Sequence, residues 1–260
     1  MWPKIGETDT YSYFYGLSML VHLGLALWLC RRRGIRLRVG VGLGLCYAWG
    51  MGLGAKLLYD ILHHRLDWRN YLDIDYYFAD GLWGGPLAYL AVAVAAIMIF
   101  ARDKRGMVDV AVLALPVPMM LAKVACFVNG CCYGAACDWP WAVSFVEGVD
   151  APAGIPRHAT QLYEIGVLLV IQLVFAVLGR RRWRWRGTLV LWFVALYGLG
   201  RPLSEFFRAP AEREPFIGAL TASQVVCLSA SLTCLIALLI YSARTSTPTP
   251  QPEGGGITQG

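Results

Sequence analysis

Apolar residues run through this chain in long stretches, recurring at 12–30, 39–62, 80–101, 107–130, 159–178, 187–201 and 222–242. About 20 apolar residues carry a helix across the hydrocarbon core of a bilayer. The pattern therefore predicts an all-α integral membrane protein with about seven transmembrane helices, the sixth of them short. Residues 1–244 read as one membrane domain, and the Pro-, Gly- and Thr-rich segment 245–260 as a disordered tail. No basic stretch, brief apolar core and small-residue cleavage site open the chain, so the first span is expected to be retained.

Basic residues orient the spans, because Arg and Lys in short loops resist translocation. Arg31, Arg32, Arg33, Arg36 and Arg38 follow the first stretch, Arg102, Lys104 and Arg105 the third, and Arg180, Arg181, Arg182, Arg184 and Arg186 the fifth. These loops are expected in the cytoplasm, with the N-terminus outside and the C-terminus inside. Composition agrees: 57% of residues are hydrophobic and 15% charged, too little polar surface to cover a water-soluble globule of this length. The net charge of +6 is then a topology signal. The interleaved Arg and Trp at 180–186 read as interfacial anchors rather than a nucleic-acid surface, for which no segment supplies an exposed groove.

Ionisable groups within a bilayer are costly and mark function. Here they gather at one depth. Lys56 and Asp60 end the second stretch, Lys123 and Asn129 the fourth, and Arg201, Glu205 and Arg208 the sixth; His158, Gln161 and Glu164 open the fifth, and Tyr15 begins the first. All fall toward the outer leaflet, as does the segment 81–86. Tyr197, Arg201, Glu205 and Arg208 share one helical face if Pro202 does not break the turn. That ladder reads either as a structural ion pair or as a phosphate site, for which the planar guanidinium is suited. Lys56 and Asp60, four apart, are either a helix pair or headgroup contacts. His158, beside Arg157 and close to Glu164, is either a satisfied interfacial imidazole or a base near neutral pH.

Of eight cysteines, Cys30, Cys46, Cys227 and Cys234 lie in apolar stretches, where a thiol is a small hydrophobe. Cys126, Cys131, Cys132 and Cys137 cluster at the outer end of the fourth, where an oxidising compartment pairs thiols. Cys131 and Cys132 near cations are also thiolate candidates. No metal-ligand spacing of His with acidic residues appears, so no metal or other cofactor is assigned.

From about residue 15 to 240 these motifs resemble, in order, the prolipoprotein diacylglyceryl transferase family. Tyr15-Gly16, Gly54-Ala55-Lys56-Leu57 and Gly84-Gly85 are similar to its Tyr-Gly, Gly-Ala-Arg-Leu and Gly-Gly elements. Residues 123–134 fall where its Arg-x-Gly-Asn-Phe-x-Asn-x-Glu-x-x-Gly signature lies. The most specific likeness is Pro140-Trp141 followed by Arg157-His158 and Gln161-Leu162-Tyr163-Glu164. Tyr197, Arg201, Glu205 and Arg208, then Gly218, Leu220-Thr221 and Gln224, resemble its closing signature.

The resemblance implies a seven-span enzyme of the bacterial plasma membrane. It would move the diacylglyceryl group of phosphatidylglycerol to the lipobox cysteine of a preprolipoprotein. Carried over residue by residue, His158, Arg201, Glu205 and Tyr197 would be catalytic. Tyr15, Lys56, Lys123, Asn129, Gly134, Gln161, Glu164 and Arg208 would bind substrate. The chain departs from the family at Trp83, where a histidine is usual, and at Lys123, Ala125, Cys126 and Cys131, which stand for Arg, Gly, Asn and Glu. Two other readings follow from the thiols: a Cys–His membrane acyltransferase, or a non-catalytic lipid-binding or thiol-sensing membrane protein.

Overall fold

Leu, Val, Ala and Ile dominate the apolar stretches, and in lipid a helix alone satisfies its backbone within one segment. The computed structural model of the chain is accordingly mostly helical. It describes residues 4–5, 8–62, 67, 69, 85–101, 103–147, 149–180, 187–213 and 215–246. Met1, the 81–84 segment with Trp83 and Gly84, Arg102, Arg181, Arg182, Arg184, Arg186 and the tail beyond 246 lie outside the described residues.

The chain begins with a short hairpin, β1 (Lys4–Ile5) with β2 (Thr8–Asp9), and enters α1 (Thr10–Arg32). The second apolar stretch is broken into α2 (Leu37–Trp49), a π-helical turn (Gly50–Gly54) and α3 (Ala55–Leu62). Gly50 is required where α2 meets the next helix, α4 (Gly85–Phe100), because a Cβ there would lie 2.5 Å from the Tyr89 backbone. Inside the π turn, the Tyr15 hydroxyl donates to the Met51 carbonyl at 2.7 Å. A side chain from α1 thus holds the wide turn just before Lys56.

The fourth stretch is α5 (Lys104–Leu113) running into α6 (Pro116–Asn129), interrupted where Pro116 offers no N–H. Then come α7 (Thr160–Arg180), α8 (Leu189–Phe206) and α9 (Ala222–Ser246), which runs two residues past the point where the tail was expected to begin. Thr245 and Ser246 are helical rather than part of a disordered tail. Pro202 does not end α8, which continues past the sixth apolar stretch to Phe206. Small hairpins, β3 (Val143–Ser144) with β4 (Pro156–Arg157) and β5 (Pro215–Ile217) with β6 (Leu220–Thr221), cap the same end of the bundle as the site described below.

Among the described residues, four segments are long and apolar enough to cross a membrane: Thr10–Arg32, Lys104–Asn129, Thr160–Leu178 and Ala222–Arg244. Three of them bury 28% or less of that length inside the protein, so most of their apolar surface needs lipid. Lys104–Asn129, 56% buried, is the central one. It packs against α1 and α7, and α7, α8 and α9 follow in sequence.

Two buried polar features escaped the sequence reading. His22 stacks on Tyr47 at 4.1 Å and its Nε2 lies 3.2 Å from the Tyr89 hydroxyl, which donates to the Ala111 carbonyl. Elsewhere in the bundle, Asp109 accepts from the Gly187 N–H and faces Arg33 at 3.8 Å. Both side chains lie within apolar stretches, which is the signal that was available.

Candidate functional site

Helical spacing brings Arg201 and Glu205 to one side of α8, with Arg208 just past its end, and α6 and α7 add Lys123 and Glu164 opposite. The result is a buried ladder of alternating charge. Lys123 Nζ lies 2.9 Å from Glu164 Oε2, and Glu164 Oε1 lies 3.7 Å from Arg201 Nη1. Arg201 also pairs with Glu205, whose other oxygen is 3.7 Å from Arg208 Nη1. Arg201, Glu164 and Glu205 are each about 5% exposed or less. Three cations therefore meet two carboxylates where solvent screening is weak, leaving one formal positive charge. Tyr197, one turn before Arg201, is buried and stacked on Phe193 at 5.5 Å.

An extended segment places the second half of the site. Residues 133–137 thread between the strand preceding α7 and the exit of α8. Gly134 N–H donates to the His158 carbonyl, His158 N–H to Ala135, Ala135 N–H to Phe207, and Ala209 N–H to Tyr133. At Gly134 a Cβ would fall 2.3 Å from the His158 carbonyl oxygen and 2.8 Å from that of Phe207. Glycine is what lets three backbones meet here, so Gly134 shapes the site. Arg157 points away from His158, with Nη1 on the Gly134 carbonyl and its guanidinium over the Tyr133 ring.

His158 sits in an aromatic cage rather than beside an acid. Its Nδ1 is 2.9 Å from the Tyr163 hydroxyl, which accepts from Trp141 Nε1 at 3.2 Å. Trp139 meets the imidazole edge-on at 4.8 Å, and Phe207 lies at 5.0 Å. Burial lowers its pKa below the usual 6.5, which keeps it neutral at pH 7. Sequence reasoning paired His158 with Glu164 or Glu205, but the structure gives those carboxylates to the cations. Beside the cage an apolar cleft of about 270 Å³ opens between α7 and α8, lined by Trp139, Trp141, Tyr163, Val167, Leu203 and Phe207 among others.

The remaining predicted residues divide. Gln161 is fully buried; its Nε2 donates to the Cys131 carbonyl at 2.7 Å, and its Oε1 has no donor among the described residues. Lys56 and Asp60 are buried and 3.8 Å apart on α3. Asn129 turns away from the ladder and donates to Asp150 at 2.8 Å. Tyr15 holds the π turn.

All eight cysteines are free thiols, and the pairing that the sequence left open for Cys126, Cys131, Cys132 and Cys137 is not formed. The sulfurs of Cys126, Cys131 and Cys132 all lie within 4.8 Å of one another. Cys132, at a φ of 58°, receives a hydrogen bond from Arg208 Nη2 at 3.3 Å. Hydrogen bonds from the Cys126 and Cys131 thiols, reinforced by Arg208 and Lys123, hold the Cys132 thiol well below the usual range; its own hydrogen bonds to Cys126 and Cys132, with burial, push Cys131 up.

The sequence profile of the prolipoprotein diacylglyceryl transferases matches residues 4–241. The chain belongs to this family. It is similar to the phosphatidylglycerol–prolipoprotein diacylglyceryl transferase of Geobacter sulfurreducens, with 32% identity over 72% of this chain and 76% of that protein. The proteins of the same name from Brucella ovis and Brucella canis are 30% identical over 64% of this chain and 64% of their own length. The chain thus spans just under two thirds of the Brucella relatives. Within the family's signatures, the ladder of Lys123, Glu164, Arg201, Glu205 and Arg208 and the His158 cage are the two features that this chain's fold brings side by side.

Proposed function

We propose that this protein is a phosphatidylglycerol–prolipoprotein diacylglyceryl transferase. The observation that carries the reading is the buried ladder of three cations and two carboxylates, set beside a neutral imidazole in a family of diacylglyceryl transferases. Its substrates are phosphatidylglycerol and the lipobox cysteine of a preprolipoprotein.

The chemistry is a substitution at carbon. The acceptor sulfur forms a C–S bond to the glyceryl carbon of the lipid as the C–O bond to phosphate breaks, and glycerol 1-phosphate leaves with that electron pair. Arg201 and Arg208, with Lys123 and Lys56, stabilise the charge gathering on the phosphate oxygens. The guanidinium of Arg201 is held rigid by two carboxylates, so little reorganisation accompanies the reaction. With Nδ1–H donating to the Tyr163 oxygen, His158 Nε2 is the basic nitrogen that takes the thiol proton. Gln161 Oε1, buried without a donor, accepts from a headgroup hydroxyl. The apolar cleft against Trp139, Trp141 and Phe207 receives an acyl chain or the lipobox side chains.

We place the site at the outer leaflet of the bacterial plasma membrane. With it go seven spans, an external N-terminus and a cytoplasmic C-terminus; the basic residues that follow the first, third and fifth apolar stretches support this reading, because such loops stay in the cytoplasm. A Cys–His acyl transfer is not favoured: the imidazole partners Tyr163 and the Cys132 sulfur partners Arg208. Incubating purified protein with phosphatidylglycerol and a lipobox peptide tests the reading. Glycerol phosphate release supports it; lysolipid release, or neither product, contradicts it.

A further inference from the structure

The three thiols at the end of α6 form a group that the transfer chemistry does not use. Cys126 lies in the last turns of α6, and Gly130, at a φ of 75°, ends the helix and turns the chain back. The left-handed backbone of Cys132 then brings Cys131 and Cys132 over Cys126. Two residues of α7 fix this return: Gln161 Nε2 and the Thr160 hydroxyl donate to the carbonyls of Cys131 and Cys132. The three sulfurs consequently share one space, each within 4.8 Å of the others. In a zinc site with Zn–S bonds of about 2.3 Å, sulfurs stand roughly 3.8 Å apart. The sulfurs thus need only a small inward movement to reach that spacing.

We propose that Cys126, Cys131 and Cys132 form a three-thiolate site for a divalent zinc-class cation. The donor set selects it: thiolates favour soft or borderline d10 ions over calcium and magnesium. Charge agrees. Zn²⁺ held by three thiolates, with the remaining thiol protons released, leaves a complex of net charge −1, beside the Arg208 guanidinium that already touches Cys132 and the Lys123 ammonium on the same helix as Cys126. No fourth His, Cys or carboxylate joins the group among the described residues, so the fourth position belongs to a water or other exogenous ligand.

The test is metal binding by the full-length protein, purified in detergent with a phosphine reductant, loaded with zinc sulfate and desalted. The expected result is one zinc per chain, with an X-ray absorption spectrum showing three sulfur neighbours at about 2.3 Å. Cys126→Ser and, separately, Cys132→Ala should each lower zinc affinity at least tenfold, while Cys234→Ser leaves it unchanged. The wild-type spectrum needs no variant, so a misfolded variant does not blunt the test. The proposal is overturned if no zinc is retained, if fewer than three sulfurs surround it, or if both variants hold it as tightly as the wild type. A disulfide between two of the thiols that zinc does not prevent would also overturn it. None of these readouts depends on turnover, so they stand or fall apart from the transferase reading.

Discussion

Arg201 is the residue on which both halves of the ladder depend, since Glu164 and Glu205 each answer it. Replacing it by alanine leaves two buried carboxylates short of a partner and removes the cation best placed for phosphate. Arg201→Ala should lower kcat/KM by about 10²–10³-fold and stability by about 3–5 kcal/mol. Arg36→Ala, on an exposed loop, should change neither. Because stability and turnover fall together in that variant, Arg201→Lys separates them: charge remains, bidentate geometry does not, and activity should fall with little loss of thermal stability.

His158 is tested by pH. A group whose folded pKa is depressed is neutral further into acid than a free imidazole, so the acid limb of kcat/KM should lie below pH 6.5 and activity should rise with pH through it. His158→Gln should reduce turnover about 10²–10⁴-fold and abolish that limb. An unchanged limb would remove the imidazole as base. The chemistry of His158 was legible from its motif, but its surroundings were not. A residue six positions away along a helix and strand end looks adjacent in sequence, whereas the side chain of Glu164 faces α6 and α8.

At the scale of elements, the extended segment 133–137 joins the ladder to the cage. Gly134→Ala would push a methyl into the His158 and Phe207 carbonyls and should cost about 1–3 kcal/mol. Activity should fall more than helical content, measured by circular dichroism, because the helices pack elsewhere. Hydropathy showed the helices plainly, since each long apolar stretch has a helix in it. It did not show the π turn at Gly50–Gly54, the break at Pro116 or the three-backbone crossing at Gly134, all set by contacts distant in sequence. Gly134 was singled out from its motif, and the steric demand on it comes from the His158 and Phe207 carbonyls. The continuation of α8 through Pro202 was open in the sequence and is closed by the structure.

For the whole molecule, orientation decides whether the ladder meets outer-leaflet lipid and secreted acceptors. A C-terminal fluorescent-protein fusion should glow and a C-terminal alkaline phosphatase fusion should be inactive. The reverse pair would put the site on the wrong side of the membrane. The central claim is the bond that is made, and it is read by mass spectrometry of a lipobox peptide incubated with the protein and headgroup-labelled phosphatidylglycerol. The account predicts a peptide heavier by one diacylglyceryl group, stable to hydroxylamine, with one labelled glycerol phosphate released per peptide modified. A hydroxylamine-labile acyl adduct accompanied by lysolipid, or no adduct in protein shown to be folded, would contradict it.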